Sequence, residues 1–199
     1  MRCVTEMRIA LTHGFNVRDG GARTVDQLIP FILESGYEVD ADEADYGYFN
    51  LWMIRLFKTK TRARMLYRLA KAFEKADVII THSNGGYFTT LAMDMMGDEY
   101  NNTKLVIHIS PAMDTDTPIP LSVRHQLVLF TKHDFWVKLS SYIPFFPWGR
   151  MGARGYSGED NRNRNQADHA VPEHSAWFNP IYAYRTWTYC DEFIKEHTK

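Results

Sequence analysis

A serine becomes a nucleophile when a base takes its proton and a third group holds that base. This sequence carries such a set in one order along the chain. Ser83 lies in Thr81-His82-Ser83-Asn84-Gly85-Gly86, Asp134 closes Lys132-His133-Asp134, and His169 and His174 follow. His13-Gly14-Phe15 comes earlier, directly after an apolar run. Gly85 leaves room for a tight turn at Ser83. A helix starting at Asn84 would aim its free N–H groups and positive end at the place where an oxyanion develops. Serine is also a favoured helix N-cap, so Ser83 alone would carry no more than that. The downstream Asp and His residues turn the reading toward catalysis. Metal chemistry fits less well. Asp114, Asp116, His133-Asp134 and Asp168-His169 offer ligand types, but no His pair has the helical H-x-x-x-H spacing. Neither a metal nor a cofactor is expected.

These residues need a scaffold that gathers them. Arg8–Thr12 (RIALT), Asp77–Thr81 (DVIIT), Lys104–Ser110 (KLVIHIS) and Gln126–Thr131 (QLVLFT) read as buried strands, with Tyr37–Val39 a weaker one. Thr24–Gly36, Arg62–Ala76, Asn84–Met96 and Pro180–Glu196 read as helices. Thr24 is the expected cap of the first and Gly36 its end. Met65, Leu66, Leu69, Ala72 and Phe73 share the inward face of the second. Continuous apolar strands alternating with helices predict the α/β class: a mostly parallel sheet with helices on both faces, a three-layer sandwich. Ligands of open α/β sheets gather at the carboxyl ends of the strands. That is where each candidate falls. Phe135–Asp168 breaks the rhythm with an aromatic cluster, Tyr142–Trp148, and a polar stretch, Gly149–Asn165. It is expected to be an irregular loop or flap within a single domain spanning 1–199.

Thr81-His82-Ser83-Asn84-Gly85 resembles the nucleophile elbow of the alpha/beta-hydrolase superfamily, G-x-S-x-G, with Thr81 in place of the first glycine. The resemblance runs from the strand before His13 to the last helix. It implies Ser83 as nucleophile and Asp134, just past QLVLFT, as the triad acid. His174, on the loop before the final helix, would be the base, with His169 as the alternative. The Asn84 and Phe15 backbone N–H groups would form the oxyanion hole. The implied reaction is a two-step acyl transfer through an acyl-enzyme, most simply on a carboxylic ester. Substrate contacts are expected from His13, Gly14, Tyr87, Met113, Phe135 and Trp136, while Trp177 and Phe178 read as core. His133 reads as a surface group or as one that supports the site from behind, and His82 and His108 as packing or as such supporting residues. Amide or thioester hydrolysis, transfer to another acceptor, or ligand binding without catalysis are the alternatives on this fold. Residues 111–125 include Pro111, Pro118 and Pro120, which oppose a helical cap between the third and fourth long strands. The expectation is an open site for a small or short-chain acyl group, without activation at lipid interfaces.

Composition sets the remaining bounds. The 199 residues are 45% hydrophobic and 24% charged, a balance that suits one soluble globular domain. A net charge of −1 leaves no basic excess for nucleic acid. An acidic stretch (Glu38, Asp40, Asp42, Glu43, Asp45) and a basic one (Lys58, Lys60, Arg62, Arg64, Arg68) read as two solvated faces. Cys3 and Cys190 form neither a disulfide framework nor a metal quartet. Met1–Leu11 lacks the apolar core of a signal peptide, and no window reaches the roughly 18 apolar residues of a membrane span. The expected setting is cytoplasmic, with a small-molecule ester as partner, no nucleic acid and no membrane. Nothing in the sequence fixes an oligomeric state.

Overall fold

Apolar runs that are buried on both faces form the centre of one parallel sheet. The computed structural model describes residues 7–14, 23–40, 59–97, 100–101, 103–143 and 148–198. Among these the strands are β1 (Arg8–Thr12), β2 (Glu38–Asp40), β3 (Val78–His82), β4 (Lys104–Ile109), β5 (Val123–Phe130) and β6 (Asn163–Ala167). They pair in the order β2-β1-β3-β4-β5-β6, all parallel. The helices are α1 (Ile29–Glu34), α2 (Thr59–Lys75), α3 (Asn84–Asp94), α4 (Phe135–Ser140), α5 (Met151–Arg154) and α6 (Pro180–Thr198).

Alternate strand residues feed two cores, as the two-residue period of a strand requires. Ile9, Leu11, Val78, Ile80, Ile107 and Leu129 face α1 and α6, meeting Leu28, Ile32, Trp187, Cys190 and Phe193. Ala10, Ile79, Val106 and Val128 face α2 and α3, meeting Leu66, Leu69, Phe73, Phe88 and Met93. The result is the three-layer α/β arrangement expected from the alternation of elements. The order reverses between β1 and β3, so their carboxyl ends flank a crevice of the kind that binds ligands in such sheets.

Several boundaries differ from the expectation. The segment expected as one helix from Thr24 is a 3₁₀ turn (Val25–Leu28) followed by the short α1, and the Thr24 side chain makes no cap bond to it. Pro30 sits in the first turn of α1, where its missing N–H costs nothing, and Gly36 (φ 84°) ends the segment. β5 starts at Val123, earlier than Gln126, and α3 stops at Asp94. The larger difference concerns Phe135–Asp168, expected as an irregular loop or flap, whose described residues include regular elements. It holds α4, α5 and the sixth strand. β6 (NRNQA) has a largely exposed face and one paired edge, so it lacks the apolar signature of the inner strands. Phe15, Cys3 and the acidic stretch beyond Asp40 lie outside the described residues.

Candidate active site

The turn from β3 into α3 holds Ser83 at φ 55° and ψ −126°, a conformation L-residues avoid. Such a residue costs of order 1–3 kcal/mol and persists only where its surroundings over-determine it. Here the main chain is pinned on both sides. Ser83 N donates to the Ile109 carbonyl at 3.1 Å, and the Ser83 carbonyl accepts from Gly86 N and Ala112 N, each at 3.1 Å. Close packing beneath the turn depends on Gly85, where a Cβ would stand 2.3 Å from the His13 carbonyl oxygen. A Cβ on Gly14 would stand 2.9 Å from Ser83 Cβ, so the segment after β1 lies directly against the elbow. Thr81, at the position where the motif has glycine, forms the turn without conflict. Its Oγ1 is hydrogen-bonded to His108 Nδ1 at 2.9 Å, with both side chains buried. Burial pushes the His108 imidazole down to about 4, so it is a neutral packing group.

Asp134 follows β5 and is fully buried. Its Oδ1 accepts from Val137 N at 2.9 Å, capping α4, and its Oδ2 pairs with His174 Nδ1 at 2.7 Å. A carboxylate is an acceptor, so Nδ1 carries the proton and Nε2 is left to accept one. The loop that carries His174 is tied to the sheet. Thr131 Oγ1 donates to the Val171 carbonyl at 2.9 Å, and Asp168 N donates to the Phe130 carbonyl at 3.0 Å. The Asp168 carboxylate caps Ala170 N at 3.0 Å and pairs with Arg185 Nε of α6 at 2.8 Å. His169 points elsewhere: its Nδ1 accepts from Lys132 N at 3.4 Å, and its ring meets Phe130 and His133 edge-on.

Ser83 and His174 open onto one pocket of about 380 Å³. Asn84 and Ala112 also line it. Its outer wall is Trp136, Val137, Leu139, Ser140, Ile143 and Trp148, a largely apolar surface built by α4 and the segment after it. Trp148 Nε1 donates to Asn84 Oδ1 at 2.7 Å, fastening that wall to the elbow. Of the expected substrate contacts, Trp136 lines the pocket. His13 is buried, with Nδ1 donating to the Gly14 carbonyl at 2.8 Å, and Gly14 packs behind Ser83. Met113 lies in the core under α3 near Thr90. Tyr87 accepts from Arg62 Nη2 at 3.1 Å, away from the lining residues, and Phe135 faces solvent. Ala112, Val137, Leu139 and Ser140 escaped the sequence reading because only the tertiary fold brings them to Ser83. Ile143 and Trp148 belong to the aromatic cluster that stood out in the sequence. Among the described residues, no three His, Cys, Asp or Glu side chains converge as a metal site would require. No described helix is long and apolar enough to cross a membrane.

The fold recurs in solved structures. An alpha/beta hydrolase enzyme from a metagenome of lagoon sediments at Mar Chica, Morocco, superposes with a TM-score of 0.58 at 12% identity, over 98% of this chain and 93% of that one. The monoacylglycerol lipase of Paleococcus ferrophilus gives 0.57 at 12% identity, over 96% and 95%. The pyrethroid hydrolase PytH gives 0.57 at 12% identity, over 94% and 96%. The chain has the alpha/beta-hydrolase fold. No protein-family model and no curated protein sequence matches it. Within the alpha/beta-hydrolase fold, the crevice between the carboxyl ends of β1 and β3 holds Ser83, and the ends of β5 and β6 lead to Asp134 and to the His174 loop.

Proposed function

We propose that the protein is a serine hydrolase that cleaves a carboxylic ester of a small or short-chain acyl group through an acyl-enzyme on Ser83. The observation that carries this reading is the 2.7 Å pair of His174 Nδ1 with buried Asp134, in a pocket that His174 shares with a strained Ser83. His174 Nε2 takes the Ser83 proton as Oγ attacks the ester carbonyl. Asp134 fixes the imidazole tautomer and balances the charge it acquires. The Asn84 backbone N–H, at the open end of α3, faces the developing oxyanion, with Phe15 N–H as the second donor; each such donor is worth ~10²–10³ in rate. The alcohol leaves with the proton from His174, and water repeats the sequence to release the acid.

The short acyl group is favoured by the connection between β4 and β5. Residues 110–122 carry no helix, so no helical cap deepens the pocket from that side. A pocket of about 380 Å³ with an apolar wall lies near the lower end of the usual range for small-molecule sites. The test is ester hydrolysis across soluble aryl esters of graded acyl length, with Ser83→Ala and His174→Ala beside the wild type. Turnover of short acyl esters should vanish in both variants with thermal unfolding preserved. Wild-type turnover in Ser83→Ala would refute the reading, and a kcat/KM that climbs steadily to long chains would refute its acyl preference.

A further inference from the structure

His82 is the residue before the nucleophile, and the mechanism above gives it no task. It is 3% exposed, and neither ring nitrogen has a hydrogen-bond partner among the described residues. A buried polar group without a partner is costly, so an apolar side chain of the same shape would be the cheaper filling. The ring is held on several sides. Phe178 meets it edge-on at 4.8 Å between centroids, and the open Cα side of Gly14 faces its Nδ1, where a Cβ would come within 3.1 Å. On the remaining side it lies against the imidazole of His174, with centroids 4.7 Å apart and planes tilted by 38°. Burial first, and then the charge of the neighbouring His174, hold its ring well below the ordinary histidine range, against a smaller opposing pull from the His174 backbone.

We propose that His82 is a positioning residue: its flat ring forms the wall that fixes the plane of the His174 imidazole between Asp134 and Ser83. The Asp134 bond alone fixes one nitrogen and leaves the ring free to swing about that contact. A flat neighbour at 4.7 Å restricts the swing, and Nε2 then stays aimed at the Ser83 side. A neutral neighbour also sets no like charge against His174 when it takes up the serine proton. The proposal rests on the serine-hydrolase reading for its kinetic consequence but not for its geometry.

The experiment compares His82→Phe, which keeps a flat ring, with His82→Leu, which keeps only the apolar volume. His82→Leu should lower kcat by ~10²-fold, the scale expected when a reacting group is displaced by about 1 Å, with KM little changed. His82→Phe should recover most of that loss and should melt at or above the wild-type temperature, because the orphaned nitrogens are gone. A second readout needs no substrate: the downfield proton resonance of His174 Nδ1 bonded to Asp134. It should persist in His82→Phe and broaden or vanish in His82→Leu. Equal kcat and equal resonances in the two variants would overturn the proposal. So would a His82→Phe variant that melts like the wild type yet loses as much kcat as His82→Leu. If the wild type hydrolyses no ester while the resonance still separates the two variants, the hydrolase reading has failed and the positioning role stands.

Discussion

Asp134 has two oxygens and two partners, and this separates its part in the fold from the part proposed for it in chemistry. Oδ1 caps α4 at Val137 N, and Oδ2 holds His174. Asparagine is as good an N-cap as aspartate, so Asp134→Asn should keep α4 and melt close to the wild type. It cannot balance an imidazolium or enforce its tautomer, and by analogy with a serine-protease triad the expected loss in kcat reaches ~10⁴-fold. Asp134→Ala should lose activity and, in addition, about 1 kcal/mol of stability with the cap. Denaturant midpoints beside kcat for the two variants check this, and a shared loss of stability would contradict it. Gly85→Ala tests the elbow in the same way. The added Cβ would collide with the His13 carbonyl oxygen at 2.3 Å, so the variant should be strongly destabilised or lose activity through a displaced Ser83. That Ser83 and His174 share a pocket and that His174 pairs with Asp134 could be anticipated from the sequence, because each of the three follows a strand or precedes the last helix. Phe135 and Met113 were not separable from true pocket residues, because spacing along the chain does not say which way a side chain points after a turn.

The elements least legible in the sequence are those that build the pocket wall and the sheet edge. β3 and β4 are five and six residues of continuous burial, and β1 is four buried residues after the exposed Arg8, so all three announce themselves as strands. In α4 only Val137 is buried, while Phe135 and Trp136 are exposed, so no helical period shows. β6 holds its place through a side chain beyond its own ladder. Arg162, just before it, donates to the carbonyls of Ile119, Pro120 and Val123 at 2.8, 3.0 and 2.8 Å and pairs with Asp160 at 2.6 Å. This fan joins the start of β6 to the start of β5, and a lysine cannot reproduce its geometry. Arg162→Lys and Arg162→Met should both lower stability, by roughly 1–3 kcal/mol, with Met the worse. Hydrogen exchange should show the loss concentrated in β6 and its pairing with β5. Uniform protection across the sheet in these variants would mean that Arg162 is not the clamp.

Over the whole molecule, histidines make the fold sensitive to acid. His82 and His108 are buried, and His125 and His197 stack at 4.0 Å near Arg124 and Arg164. Burial is the leading cause in each of the four, and each is held below the ordinary value of 6.5. The unfolded chain therefore binds more protons as pH falls below 6.5, so stability is full above that value and declines beneath it. His108 alone, with its imidazole at about 4, accounts for roughly 3 kcal/mol of loss between those limits. The melting temperature should be flat above pH 7 and fall between about pH 6.5 and 4, less steeply in His108→Gln; a flat profile down to pH 4 would contradict this. The catalytic claim has its own direct measurement. A fluorophosphonate ester, which modifies only an activated serine, should label the wild-type chain stoichiometrically, and peptide mass analysis should place the adduct on Ser83. Ser83→Ala should take no label, and His174→Ala should take it far more slowly. An unlabelled folded wild type, or an adduct on any other residue, would contradict the assignment of Ser83 as the nucleophile.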